Sequence, residues 1–182
     1  MVEATHETGD RLGPMLIIFA GLPGVGKTAI ARELARQIGA VHLRIDSIEQ
    51  TMLASGVACQ QLNDAGYRAA YAAAEDHLRM GRTVIADSVN PLKITRDAWV
   101  EVANRVPARF LEIEVRCSDA REHRRRVETR SSDIPGLKLP AWEEVVSREY
   151  HRWDCEHLVI DTSARAVAQS VNIIREALPE HV

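Results

Sequence analysis

Met15-Leu16-Ile17-Ile18-Phe19-Ala20-Gly21-Leu22-Pro23-Gly24-Val25-Gly26-Lys27-Thr28 decides the fold. The first six residues are short, continuous and apolar, as a central strand buried on both faces requires. The next eight fit G-x-x-x-x-G-K-S/T, and a helical pattern follows from Lys27 to Ile38, stopped by Gly39. A glycine-rich turn between a strand and a helix aims several N–H groups into one concavity at a helix N-terminus. Such a concavity favours polyphosphate. In this loop Lys27 reaches the β- and γ-phosphates and Thr28 offers a hydroxyl to Mg²⁺. The chain holds three lysines against twenty arginines, so Lys27 is no by-product of a lysine-rich composition.

A dinucleotide fingerprint competes for the same residues. Gly24-Val25-Gly26-Lys27-Thr28-Ala29 also fits G-x-G-x-x-G/A, and Asp46 follows Gly24 by 22 residues. The triphosphate reading prevails because it uses four fixed residues over eight positions, Lys27 among them. A chain of 182 residues also has no room for a second, substrate-binding domain.

Outward from the loop, strands and helices alternate. Strands are expected at Val41–Ile45, Thr83–Ala86, Arg109–Val115 and Leu158–Ile160. Helices are expected at Ser47–Ser55, from a cap at Asn63 or Asp64 to Gly81, from Asn90-Pro91 to Arg105, from Ser118 or Asp119 to Arg130, and over Ala141–Arg152. A last helix carries Val167, Val171, Ile174 and Leu178 on one stripe. Residues 1–14 read as a disordered tail, 15–182 as one domain, and the Pro- and Gly-bearing segment 131–140 as a small lid. The alternation implies an α/β domain with a parallel sheet and helices on both faces.

Composition removes several classes. The formal net charge of −3 disfavours a bulk-basic nucleic-acid binder. No apolar run approaches the length of a membrane span. Three scattered cysteines read as reduced thiols of a cytoplasmic protein. His151, Cys155 and His157 lack zinc-site spacing. Neither N-K-x-D nor a nucleophile elbow occurs.

Ligands in open parallel sheets bind beyond the carboxyl ends of the strands, where Asp46 and Asp87 stand. Asp46 suits the proton of an acceptor hydroxyl, and Asp87 the metal side. Each has a structural alternative: Asp46 as a helix cap, Asp87 as a partner of Thr28. Between Arg121 and Arg130 lie five arginines and two glutamates. Arg126 and Arg130, four apart, share a helix face before the loop and suit a lid that meets the transferring phosphoryl group. The alternative is a solvated face of ion pairs. Tyr67, Tyr71 and Arg68 are candidates for the acceptor pocket, with core packing the alternative for the tyrosines. Arg44 and Arg96 are candidate anion ligands.

These residues together resemble the small P-loop kinases of the predicted-kinase group, which has AAA-type, zeta-toxin-like and chloramphenicol-phosphotransferase-like members. The resemblance runs from Met15 to about Leu178. It rests on Gly21 to Thr28, Asp46, the stretch Val84 to Asn90, Arg96, and the Arg126/Arg130 pair. It implies a three-layer, nucleoside-monophosphate-kinase-like core with five parallel strands in the order 2-3-1-4-5. It also implies ATP as donor with Mg²⁺, bound through Gly21 to Ala29. Asp46 is then the candidate base, Asp87 and Asn90 lie near metal or acceptor, and Thr162 lies near the adenine. Ser88-Val89-Asn90 stands where many relatives have Ala-Thr-Asn. The group phosphorylates antibiotics, sugar acids, adenylyl sulfate and polynucleotide 5′ ends, so it fixes the donor better than the acceptor. The expected function is transfer of the γ-phosphoryl group to a small-molecule hydroxyl by a monomer or homodimer. The alternatives are a polynucleotide 5′-hydroxyl kinase and a non-catalytic ATP-binding regulatory module.

Overall fold

β1 (Met15–Ala20) is buried along its whole length, as its unbroken apolar run requires. It occupies the centre of a five-stranded sheet in the order β2-β3-β1-β4-β5. Every pairing is parallel, with Leu16 opposite Val84 on one side and Phe110 on the other. The other strands are β2 (Val41–Arg44), β3 (Val84–Asp87), β4 (Arg109–Arg116) and β5 (Leu158–Asp161). This is the P-loop NTPase α/β fold. The computed structural model describes residues 13–56 and 62–179. Residues 1–12 of the expected tail, and Cys59, lie outside the described residues.

The side chains of β1 alternate between two cores. Ile17 and Phe19 pack under α1 (Lys27–Ile38) and α7 (Val167–Ala177), against Ile30, Leu34, Val171 and Ile174. Leu16 and Ile18 pack under α3 (Ala65–Arg79) and α4 (Lys93–Arg105), against Ala70, Leu78, Trp99 and Val102. Each fully buried side chain of this size contributes roughly 1.5–3 kcal/mol. A strand buried on both faces therefore anchors the loop at its carboxyl end on the most stable part of the sheet.

Several element ends differ from the sequence reading. β2 stops at Arg44, and α2 (Ile45–Ala54) begins before Asp46. Asp46 thus sits in the first turn of α2, where a carboxylate favours the helix N-terminus; it does not stand at a strand end. α4 starts at Lys93, after a turn in which Asn90 has φ 44°. α5 (Ala120–Thr129) is capped by Asp119, which accepts from the N–H groups of Arg121 (2.9 Å) and Glu122 (3.2 Å). Arg130 has left the helix in extended conformation. α6 is only Trp142–Val146, so the helix expected to Arg152 is cut short. Val167, at the start of α7, is exposed, while Ser170 takes an inward position.

The residues after α6 form an irregular strap, and Arg96 explains how it is held. Its guanidinium is buried, stacks over the Trp153 ring at 4.5 Å and donates to the carbonyls of Asn90, Pro91 and Arg152. Arg96 is therefore a fastener between α4 and the strap, not an anion ligand. Among the described residues no helix is long and apolar enough to cross a membrane.

Candidate active site

Three glycines of the loop have left-handed backbone: Gly21 (φ 138°), Gly24 (φ 87°) and Gly26 (φ 98°). At Gly21 a Cβ would lie 2.1 Å from the Val115 carbonyl oxygen, and at Gly24 it would lie 2.5 Å from Val127 Cγ2. The loop is braced from three sides. Gly21 N–H donates to Val89 O (3.0 Å), His123 Nε2 meets Pro23 O (2.8 Å), and Thr162 Oγ1 donates to Val25 O (2.8 Å). Gly26 caps α1 and Ala29 is exposed on its first turn.

Lys27 is buried beneath this loop, and its Nζ donates to Leu22 O at 3.1 Å. Burial lowers its pKa to about 8. The carboxylates of Asp87 and Asp46 oppose that shift, and the guanidinium groups of Arg130 and Arg148 add to it. A desolvated ammonium with one carbonyl partner leaves donor capacity facing the amide cradle.

Asp87 ends β3 and is buried. Burial alone would push its carboxyl up. The His42 hydrogen bond (Nε2 to Oδ2, 3.1 Å), the charges of Lys27 and His42, and the Thr28 hydroxyl hold it below the usual range instead. Thr28 and Asp87 thus join as two hard oxygen donors, a set that suits Mg²⁺. His42 was not singled out in the sequence. Its signal was parity: it points to the same face of β2 as Arg44, which lies opposite Asp87 in register.

Asp46, whose charge also acts on Lys27, is partly buried, and it is not the cap of α2, whose N-cap is Arg44. Glu49, one turn further, is another residue the sequence reading missed. Burial first, then the charge of Asp46, pushes its carboxyl up, against the pull of Arg148. Gly66 makes room for it, since a Cβ there would lie 2.2 Å from Glu49 Cγ. The signal was the i, i+3 spacing from Asp46. Tyr67 also borders this group: its hydroxyl accepts from Asn90 N–H (3.2 Å), and burial raises its pKa. Tyr71 turns to the core, edge-on to Trp99 at 4.5 Å. Asn90 is fully buried and donates through Nδ2 to Phe19 O (2.8 Å), tying the end of β1 to the turn after β3.

The two arginines expected on one helix face separate. Arg126 pairs with Glu122 (2.7 Å) and donates to Thr162 Oγ1 and Thr162 O, both at 2.9 Å. It therefore grips the turn after β5. Arg130, beyond the helix end, keeps a buried Nε with no hydrogen-bond partner and stands within the fields of Asp46 and Arg44. Among the described residues, Asp46, Asp87, Arg130 and Arg148 all act on Lys27 through their charges.

A protein-family model described as AAA domain matches residues 16–148. Three solved structures are similar in fold. The APS kinase of Mycobacterium tuberculosis, in complex with AMPPNP and APS, superposes with a TM-score of 0.69 at 17% identity, covering 90% of this chain and 96% of that one. Kti12 of Chaetomium thermophilum, in complex with ADP-AlF3, gives 0.64 at 24% identity, covering 90% and 99%. A sugar kinase from Janibacter sp. gives 0.64 at 14% identity, covering 90% and 93%.

Proposed function

The chain belongs to this AAA domain family, and from that premise we propose that it is an ATP- and Mg²⁺-dependent phosphotransferase acting on a hydroxyl of a small molecule. The observation that carries this reading is the buried Lys27 ammonium of a loop with three left-handed glycines, within the fields of two carboxylates, Asp87 and Asp46. The loop N–H groups and Lys27 bind the β- and γ-phosphates. Thr28 and Asp87 would hold Mg²⁺, which when bound would supply positive charge to the polyphosphate. The adenine lies by Thr162 and Arg126.

Asp46 accepts the proton of the acceptor hydroxyl as its oxygen bonds to the γ-phosphorus. The bond to the β,γ-bridging oxygen breaks, ADP leaves with that electron pair, and the proton passes from Asp46 to solvent. Arg130, lacking a hydrogen-bond partner at Nε, is suited to the charge on the transferring group. Tyr67 borders the acceptor. Within α5, Arg124 pairs with Glu128, and Arg125 and Arg126 with Glu122, all at 2.7 Å. That internal pairing speaks against a basic surface for polynucleotide.

The test is ADP release across a panel of alcohols, sugars and short oligonucleotides. A small-molecule acceptor should raise turnover, and Asp46→Asn should lower kcat by about 10²–10⁴-fold with nucleotide affinity retained. Tight ATP binding that no acceptor stimulates would favour a nucleotide-dependent regulatory module. Stimulation by oligonucleotide alone would favour the polynucleotide reading.

A further inference from the structure

At the free edge of β2 lies a cleft of about 380 Å³, within the range of small-molecule sites. Arg32 of α1, His42 and Arg44 of β2, Ser47 of α2 and Asp133 of the segment after α5 line it. Two guanidinium groups meet there on one carboxylate. Arg32 Nη2 donates to one oxygen of Asp133 at 2.5 Å, and Arg44 Nη1 to the other at 2.7 Å. Forked donors from separate elements, each on its own oxygen, are the geometry by which arginines hold an oxyanion.

The two sides of this contact are unequal. Arg44 is 16% exposed, and its Nε is buried without a hydrogen-bond partner. Asp133 is 53% exposed, on a segment with no regular secondary structure. Its carboxylate can return to water readily, whereas the Arg44 donor it leaves unmet cannot. Arg130, also unpartnered at Nε, stands within the fields of both Arg44 and Asp46. It stands at the end of α5, three residues before Asp133 in the chain. A phosphate or sulfate group has more acceptor oxygens than Asp133 and adds charge where arginines outnumber acids.

We propose that Arg32 and Arg44 form an oxyanion subsite whose built-in occupant is Asp133, and that the phosphoryl acceptor carries a phosphate, sulfate or carboxylate group that displaces it. The subsite stands on its own geometry; its assignment to the acceptor rests on the phosphotransferase reading above.

The experiment titrates inorganic phosphate into protein already loaded with Mg²⁺ and AMPPNP, so that the phosphate loop is filled. Asp133→Asn should bind one phosphate per chain about three- to tenfold more tightly than the unaltered protein, since the two ion pairs to Asp133 no longer compete. Adding Arg32→Ala or Arg44→Ala to Asp133→Asn should remove that binding. Arg32 is 59% exposed, so its variant tests the subsite without disturbing the core. Absence of phosphate binding in Asp133→Asn, or its survival in both arginine variants, overturns the subsite. Failure of AMPPNP to bind falls instead on the phosphotransferase reading. A second arm compares neutral alcohols with their phosphorylated or carboxylated counterparts in ADP release. Arg44→Ala should raise KM for the anionic members alone. If free phosphate instead stimulates turnover of neutral alcohols, the anion is an effector and the acceptor assignment fails.

Discussion

Lys27 pays an electrostatic penalty for its burial in the site. An ordinary lysine titrates near 10.5, and burial brings this one to about 8. Between those values the unfolded chain holds a proton that the folded chain has released. Stability of the ligand-free protein should therefore rise with pH across that window, by up to about 3 kcal/mol. Below pH 8 both states are protonated and the penalty is constant. Urea unfolding from pH 7 to 10 should show the rise, and Lys27→Met should flatten it; parallel curves would refute the assignment. Polyphosphate reverses the balance by favouring the ammonium. ATP binding at pH 8.5 should accordingly take up a proton, read by calorimetry in two buffers of different ionisation enthalpy.

Between elements, the decisive contact is that of α5 with the phosphate loop. Val127 packs where a Gly24 side chain would go, and His123 meets the Pro23 carbonyl. Gly24→Ala should cost about 2–4 kcal/mol, combining overpacking with a left-handed backbone, and should weaken nucleotide binding. Adding Val127→Ala should recover the overpacking part and leave the backbone part. A double-mutant cycle of chemical denaturation checks this; strict additivity would mean that the two residues do not oppose each other. The same contact explains why Arg126 turns to Thr162: α5 approaches the loop with Val127 and His123 inward, which sends Arg126 to the turn after β5.

Over the whole molecule, the short α6 leaves residues 147–157 as a strap across the open end of α4. Its attachment depends on Arg96 beneath Trp153, on His151 N–H donating to Pro91 O (2.8 Å), and on His151 Nδ1 accepting from Lys93 N–H (3.2 Å). Arg148 lies at its start and acts on Lys27 and Glu49, so the strap also places a charge at the site. Arg96→Ala empties a buried position and strips partners from three carbonyls. It should cost about 2–5 kcal/mol and speed hydrogen exchange over 149–157, while amides of β1 keep their protection. Unchanged exchange in the strap would show that Arg96 does not hold it.

How far the sequence reached depended on whether a feature was local. The phosphate loop, the buried strand before it and the order β2-β3-β1-β4-β5 were legible, because a contiguous motif and its resemblance to known kinases specify them. Asp87 was legible as an acid after a buried strand, and Asp46 as an acid near one, though the helix N-terminus claimed it. Arg44 was legible as a candidate anion ligand, but its meeting with Arg32 on Asp133, His42 beside Asp87 and Arg148 acting on Lys27 were not legible in that way. Those partners lie as far as 121 residues apart along the chain, as Lys27 and Arg148 do. Their meeting is set by side-chain parity on an edge strand and by irregular segments with no periodicity to read. Local backbone chemistry therefore determined where a polyphosphate fits, and only the packing of distant segments decided which charges surround it.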